Sequence, residues 1–115
     1  MRSFLRIDID LDVTDAWSAT LSVLKASVYK STIYHLTQKG VHIEIPELPS
    51  LENLRRLFND DPRRIDMDLE RQRHKVISNV LFVAKNGHKV EVTKNTEKVI
   101  EWIEELRKKV KLRRQ

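Results

Sequence analysis

Residues 6–12 read R-I-D-I-D-L-D, and this stretch decides how the chain folds. Aliphatic and charged residues alternate along it with a period of two, which is typical of a β-strand with one buried face. The other face carries Asp8, Asp10 and Asp12. Successive residues on one face of a strand lie ~6–7 Å apart. Because strands disfavour aspartate and like charges on one face repel, this row requires a counter-charge. Either a divalent cation or nearby lysine and arginine side chains would supply it.

The composition is that of a folded domain with a highly charged surface. The 115 residues suffice for one domain with one core; 34% of them are charged, and the net charge is +5. The sequence contains no cysteine, which excludes disulfides and thiolate metal sites. No apolar run approaches the ~20 residues of a membrane span, and the N-terminus lacks the apolar region of a signal peptide. We therefore expect a cytoplasmic protein without a membrane partner.

A helix is predicted after the first strand. Thr14 is its expected N-cap, and the helix would run to residues 27–30. Four apolar residues follow the i, i+4, i+7, i+11 spacing of one helix face, and we expect them to be buried in the core. They are Trp17, Leu21, Leu24 and Val28.

A first β-hairpin is predicted from residues 32–36 and 41–45. The turn at 37–40 ends in Gly40, which is able to take a positive φ. Pro46 is expected to end the second strand, because proline lacks the N–H that a strand ladder requires.

A second hairpin is predicted further along the chain. It combines an apolar strand over residues 76–84 with a strand over 88–93, and Asn86-Gly87 is the turn between them. We expect Val90 and Val92 to face the core.

Two segments lie between the hairpins. Residues 51–58 are predicted to form a short helix that buries Leu51, Leu54 and Leu57. Residues 64–70 allow two interpretations: the preceding Asp-Pro pair is a good helix opening, whereas the alternation of apolar and acidic residues also fits a strand. We favour the helix, in which Arg64 and Asp68 would form an i, i+4 ion pair.

The chain is predicted to end in a helix that begins at Asn95 or Thr96. Six of the eight residues from 107 to 114 are basic. The basic residues that could bind the phosphates of DNA or RNA are Arg107, Lys108, Lys111, Arg113 and Arg114; alternatively, they form a solvated helix end.

This order of elements predicts a single α+β domain over residues 1–115. Its antiparallel sheet would be ferredoxin-like or similar to an RNA-recognition motif, with helices packed on one face and a C-terminal helix. The other face of the sheet would be free to present Asp8, Asp10 and His42.

Four pieces of the sequence occur in an order seen elsewhere. Asp8 and Asp10 form a D-x-D pair on a strand, and residues 37–42 are similar to an S-x-x-x-G-x-H hairpin. Ile65-Asp66 matches a later hydrophobic residue followed by aspartate, and residues 81–87 contain lysine and glycine. In this order, the pieces resemble a compressed version of the archaeo-eukaryotic primase superfamily, of the kind expected in a small reading frame of an archaeal virus or phage.

The resemblance implies a function for each piece. Asp8, Asp10 and Asp66 would be catalytic and would bind Mg²⁺ or Mn²⁺ for two-metal phosphoryl transfer. His42, Lys39 and Lys85 would bind the phosphates of a nucleotide. The protein would then act on DNA or RNA in the cytoplasm, inside a host cell if it is virus-encoded.

Other interpretations of the same residues remain open. The family's third motif lies on a strand, and its active members are longer than this chain. The protein is alternatively a non-catalytic nucleic-acid-binding relative, or a metal-dependent nuclease that uses the same carboxylates. A third interpretation is a protein–protein interaction or homodimerisation module, in which the apolar stripe of Val99–Val110 forms the seam between two molecules.

Overall fold

The computed structural model of this chain describes residues 3–73 and 89–113; for residues 71–73, 89 and 111–113 it describes the backbone alone. Strands and helices follow one another along these ranges in the order β1-α1-β2-β3-α2-α3-β4-α4. Their bounds are β1 Phe4–Asp10, α1 Ala16–Ala26, β2 Ile33–Thr37, β3 Gly40–Pro49, α2 Glu52–Leu57, α3 Pro62–Arg73, β4 Lys89–Thr93 and α4 Thr96–Arg113.

The strands form one antiparallel sheet in the order β1-β3-β2-β4. β3 lies between β1 and β2, so that β1, α1, β2 and β3 have the arrangement with which a ferredoxin-like fold begins. β4 pairs with β2 on the side away from β3. The predicted α+β class, with an antiparallel sheet and a C-terminal helix, is confirmed.

The core lies between one face of the sheet and the helices α1 and α4. The aliphatic side of β1 is fully buried there: Leu5, Ile7 and Ile9 have no exposed surface. Fully burying an aliphatic side chain stabilises a fold by about 1.5–3 kcal/mol, so this row is a major contribution to stability. The alternation at the start of the chain therefore predicted the buried face of β1 correctly.

Helix α1 packs with the face opposite to the predicted one. Trp17, Leu24 and Val28 are 72%, 46% and 76% exposed, so the prediction that they are core residues is wrong. Small residues let the backbone of α1 approach the sheet closely, and the hydroxyl of Tyr34 donates to the carbonyl oxygen of Val23 at 3.1 Å. The buried residues of α1 are Ala19, Ser22, Val23 and Ala26.

Two bounds also differ from the predicted ones. The N-cap of α1 is Asp15 rather than Thr14, and its carboxylate accepts a hydrogen bond from the N–H of Ser18. β3 continues through Pro46 to Pro49. Its pairing with β2 stops at Glu44, so the missing N–H of Pro46 removes no bond to that strand.

The valine side chains of β4 lie on the opposite face of the sheet from the predicted one. Val90 and Val92 are both more than half exposed, because the register with β2 places Val92 opposite His35 on the polar face of the sheet. The predicted strand over 76–84 and its Asn86-Gly87 turn lie outside the described residues.

The predicted helices over residues 64–70 and at the end of the chain are both confirmed. The burial of the C-terminal helix bears on the interpretation of this protein as a dimerisation module. Residues 64–70 belong to the helix α3. Val99, Ile103 and Leu106 of α4 are buried in the core, so this stripe is unavailable as a seam between two molecules. Among the helices of the described part, none has both the length and the hydropathy that crossing a membrane requires.

We predict that Gly40→Ala is strongly destabilising. A Cβ atom at residue 40 would lie 1.8 Å from the carbonyl oxygen of Ile9 and 2.8 Å from its carbonyl carbon, and backbone atoms of a paired strand cannot move aside. Overpacking typically costs 1–3 kcal/mol, and we expect about 3 kcal/mol here in urea unfolding. Lys39→Ala, at the exposed neighbouring position, is the control and should change the free energy of unfolding by less than ~0.5 kcal/mol. Equal stability of the two variants would contradict this close approach.

Candidate functional site

The polar face of the sheet carries a row of three residues from three strands. Asp8 on β1 is opposite His42 on β3, which is opposite His35 on β2. The Nε2 atom of His42 lies 3.0 Å from Oδ1 of Asp8, and the Nε2 atom of His35 lies 3.4 Å from Oε1 of Glu44. Both histidines are buried. The imidazole of His42 is thus the group that contacts the Asp8 carboxylate across the two strands.

The outer edge of β1 is covered by the segment between α2 and α3. The N–H of Asp8 donates to Oδ1 of Asp60 at 2.7 Å, and the N–H of Asp61 donates to the carbonyl oxygen of Asp8 at 2.8 Å. Asn59 takes a φ of 61°, a conformation that asparagine tolerates better than most residues. Its side chain donates to Ser22 at 2.8 Å, which ties the segment to α1.

Asp60 is the centre of a buried ion cluster. Its carboxylate accepts hydrogen bonds from Nε of Arg55 at 2.7 Å and from Nη1 of Arg64 at 2.6 Å. Nη1 of Arg55 also lies 2.9 Å from Oδ2 of Asp68. We call these four residues the Arg55 cluster. Burial raises the pKa of Asp60, and the positive charges of Arg64 and Arg55 oppose that shift.

Arg63 connects the start of α3 to the end of β1. Its guanidinium contacts Oδ2 of Asp61 at 2.6 Å and Oδ2 of Asp10 at 3.3 Å, and most of its side chain is exposed. Asp61 also accepts a hydrogen bond from the backbone N–H of Arg63 at 2.9 Å. Partial burial acts to raise the pKa of Asp61, but the hydrogen bonds and the charge of Arg63 outweigh it, so that the pKa is lowered.

The predicted metal ligands do not form one ligand group. Asp8 contacts His42 and Asp10 contacts Arg63, whereas Asp66 is exposed on α3. Within residues 3–73 and 89–113, no three histidine, aspartate or glutamate side chains are placed to hold a metal ion. As arranged here, these carboxylates do not fit a Mg²⁺ or Mn²⁺ site, and metal binding stays a prediction from the sequence.

The predicted phosphate-binding residues are also dispersed. His42 is buried beside Asp8, and Lys39 is exposed in the β2–β3 turn, 3.9 Å from Asp12. Lys85 lies outside the described residues. Nucleotide binding by these residues therefore stays a prediction.

The predicted nucleic-acid-binding residues follow one another along the end of α4. Arg107 contacts Glu104 of the same helix, and Lys108 is exposed. Lys111 and Arg113 belong to α4, but the structure does not describe their side chains, and Arg114 lies outside the described residues.

The Arg55 cluster was missed by the sequence analysis. Arg64 pairs with Asp60 rather than with Asp68, and Arg55 occupies the buried side of α2 that was assigned to Leu51 and Leu57. The only local signal for this cluster in the sequence was the i, i+4 spacing of Asp60 and Arg64. Arg55 and Asp68 belong to different helices, so their contact has no local spacing that would predict it.

A groove of about 320 Å³ adjoins this cluster. It lies where the start of α1 faces the segment between α2 and α3, and Val13, Asp15, Asn59, Asp60 and Pro62 are among its lining residues. Its charged lining residues already have partners within the domain: Asp60 is bonded to Arg55 and Arg64, Asp15 accepts from Ser18, and Arg56 contacts Glu52.

No family model, no curated protein and no solved structure matches this chain. Fold and geometry alone therefore define its class: an α+β sheet domain whose acidic strand contacts a histidine and an arginine of the same domain.

We predict that Asp60→Asn lowers the free energy of unfolding by about 3 kcal/mol. The substitution leaves the guanidiniums of Arg55 and Arg64 without their shared charge, and breaking a buried ion pair typically costs 3–5 kcal/mol. Asp66→Asn is the matched control, because it makes the same chemical change at an exposed position of α3. It should stay within ~0.5 kcal/mol of the wild type in urea unfolding. A larger effect for Asp66→Asn than for Asp60→Asn would contradict the described cluster.

We predict a pH-dependent effect of Asp61→Asn. The pKa of Asp61 is lowered in the folded state, so its carboxylate contributes stability above the unfolded pKa of about 4, and this contribution is lost as the pH falls through the folded value. The wild type should therefore be more stable than the variant at pH 7, with a smaller difference at pH 3. Urea unfolding at both pH values measures this, and asparagine preserves the helix cap. A difference independent of pH would show that the ionisation of Asp61 is not coupled to folding.

Proposed function

We propose that this protein is a nucleic-acid-associated protein that contacts the phosphates of DNA or RNA through the basic end of α4. The observation that supports the proposal is the exposure of Lys108 and Lys109 on a helix whose apolar stripe is buried in the core. Burial of the stripe thereby holds the backbone of these two residues at the surface. Lysines contact phosphates without reading the bases, so the binding would be independent of sequence.

The distribution of charge within the fold supports the same proposal. The acidic side chains of β1 and of the segment that begins α3 contact cationic partners inside the domain: Asp10 and Asp61 contact Arg63, and Asp60 contacts Arg55 and Arg64. Their negative charge is therefore screened locally. A chain with a net charge of +5 attracts a polyanion.

Not every basic residue of α4 is equally available. Arg107 donates from Nε to both carboxylate oxygens of Glu104 at 3.1 Å, an intrahelical pair that reduces its freedom to bind a phosphate. The ammonium of Lys109 lies 5.8 Å from the centre of the Trp102 ring. Trp102 in turn donates to the carbonyl oxygen of Thr37 at 2.9 Å, which holds this part of α4 on the sheet.

The proposal does not include phosphoryl transfer. Asp8 and Asp10 already contact His42 and Arg63, so a pair of metal ions would have to displace both partners before it could bind. Binding without catalysis agrees better with this arrangement than the polymerase or nuclease interpretation does.

We predict that Lys108→Gln/Lys109→Gln weakens binding to DNA and RNA and reduces its salt dependence. Each lost phosphate contact lowers the slope of log Kd against log salt concentration by about 0.7–0.9, so the slope should fall by about 1.5. Fluorescence anisotropy with a labelled single strand of ~30 nucleotides and with the corresponding duplex measures this.

The control for this experiment is Lys30→Gln/Lys94→Gln, which removes the same charge at two other exposed positions. It should leave most of the slope unchanged. If both double variants reduce the slope equally, binding depends only on net charge, and the proposed interface on α4 is wrong. An unchanged slope for Lys108→Gln/Lys109→Gln would also contradict it.

A further inference from the structure

Trp102 of α4 is a half-buried aromatic side chain at the border of the core. It packs against the core residues, and its indole N–H donates to the carbonyl oxygen of Thr37 at 2.9 Å. This bond anchors the indole to the last residue of β2. The protein thus holds an aromatic ring in a restricted orientation while part of the side chain stays in contact with solvent.

A lysine lies beside this ring. The ammonium of Lys109 is 5.8 Å from the centre of the Trp102 ring, which is within the range of a cation–π contact, and Lys109 is exposed. Lys109 follows Trp102 by seven residues, or about two helical turns, so both residues lie on the same face of α4. The ring therefore adjoins the basic end of the helix, where the phosphates are proposed to bind.

An aromatic ring beside a cation is the combination that binds unpaired bases. Proteins that bind single-stranded nucleic acid stack bases on aromatic side chains and contact the phosphates with basic ones. The bases inside a duplex are already stacked on their neighbours, so a side chain held at a protein surface does not reach their faces. The pair of Trp102 and Lys109 therefore favours single strands over duplexes.

We infer that Trp102 is a stacking platform for one unpaired base of a single strand of DNA or RNA. The inference rests on the proposed function, because it names the class of nucleic acid whose phosphates the end of α4 contacts. The base lies on the open part of the indole, and the ammonium of Lys109 moves from the ring to the adjoining phosphate. Because Lys109 is exposed and its side chain is flexible, this movement requires no change in the backbone.

The charges along α4 limit where the strand runs. The first part of the helix carries negative charges that repel a polyanion, whereas the ammonium groups of Lys108 and Lys109 attract it. A strand therefore crosses α4 at its basic end instead of following the helix axis, and only the base nearest to this crossing reaches Trp102. The exposed glutamates of the first part are Glu97, Glu101, Glu104 and Glu105.

The second tryptophan of the chain is more exposed but has the opposite charge beside it. Trp17 of α1 is 72% exposed, and Asp15, which caps this helix, precedes it by two residues. Hydrogen bonds from Ser18 lower the pKa of Asp15, so its carboxylate is ionised at neutral pH. A nearby carboxylate repels the phosphates that flank a stacked base. Exposure alone would therefore select Trp17, whereas stacking coupled to phosphate binding selects Trp102.

Tryptophan fluorescence tests the inference, because a base that stacks on an indole quenches its emission. The sequence contains two tryptophans, so Trp17→Phe leaves only Trp102 and Trp102→Phe leaves only Trp17. Oligomers of about 12 thymidine or uridine nucleotides should quench the emission of Trp17→Phe to saturation and leave that of Trp102→Phe unchanged. Duplex DNA and inorganic polyphosphate supply phosphates without unpaired bases, and both should bind Trp17→Phe without quenching it.

Affinity provides a second measurement. Trp102→Leu keeps an apolar side chain against the core but removes the ring, so it should raise the Kd for the single strands about fivefold. The Kd for the duplex and the salt slopes should stay unchanged, because the phosphate contacts remain. Trp17→Leu is the matched control and should change neither Kd. The fluorescence of Trp17→Phe tests the same inference in a chain that keeps Trp102, so the test does not depend on the folding of Trp102→Leu.

Two results would overturn the inference and leave the proposed function intact. In the first, single strands bind with a salt-dependent Kd but do not quench Trp17→Phe. In the second, the duplex or polyphosphate quenches Trp17→Phe as strongly as the single strands do, which would show that the emission responds to phosphates. If neither single strands nor the duplex binds with a salt-dependent Kd, the proposed function fails and the inference fails with it. Quenching by only one of the two oligomers supports the inference and assigns the strand to DNA or to RNA.

Discussion

The carboxylate of Asp60 is the point on which the rest of the structure depends. It accepts hydrogen bonds from Arg55 of α2, from Arg64 of α3 and from the N–H of Asp8 in β1, so a single side chain joins three elements. Such a buried charge is costly to desolvate, and the cost is offset only while all partners are present. The position of α2 and α3 at the edge of the sheet is thus fixed by directional bonds as well as by the burial of Phe58 and Ile65.

Local patterns in the sequence predicted the buried face of β1 but not that of α1. The alternation in residues 6–12 identified the buried face of β1, because successive side chains of a strand must point to opposite sides. It could not identify the buried face of α1. The spacing of Trp17 and Leu24 shows that these residues share a face, but Val23 and Ala26 share another, and only the shape of the sheet decides which one is covered.

The candidate site shows the same limit. The sequence indicated that Asp8 and His42 lie on one face of the sheet, and the structure pairs them. The row of aspartates required a counter-charge, and both a metal ion and basic side chains satisfied that requirement. Arg63, which contacts Asp10, is 53 residues away along the chain, so no local spacing could have favoured it over a cation.

The cover over the outer edge of β1 has a consequence for aggregation. An uncovered edge strand offers its free N–H and C=O groups to the strands of other molecules, and this is a common origin of amyloid-like pairing. Here the peptide groups of Asp8 are occupied by Asp60 and Asp61, which belong to the same segment as the Arg55 cluster. Exchange of the Asp8 amide hydrogen with solvent thus requires that this segment detach, so fibril formation through this part of β1 would begin only from a molecule in which the segment has moved away from the strand.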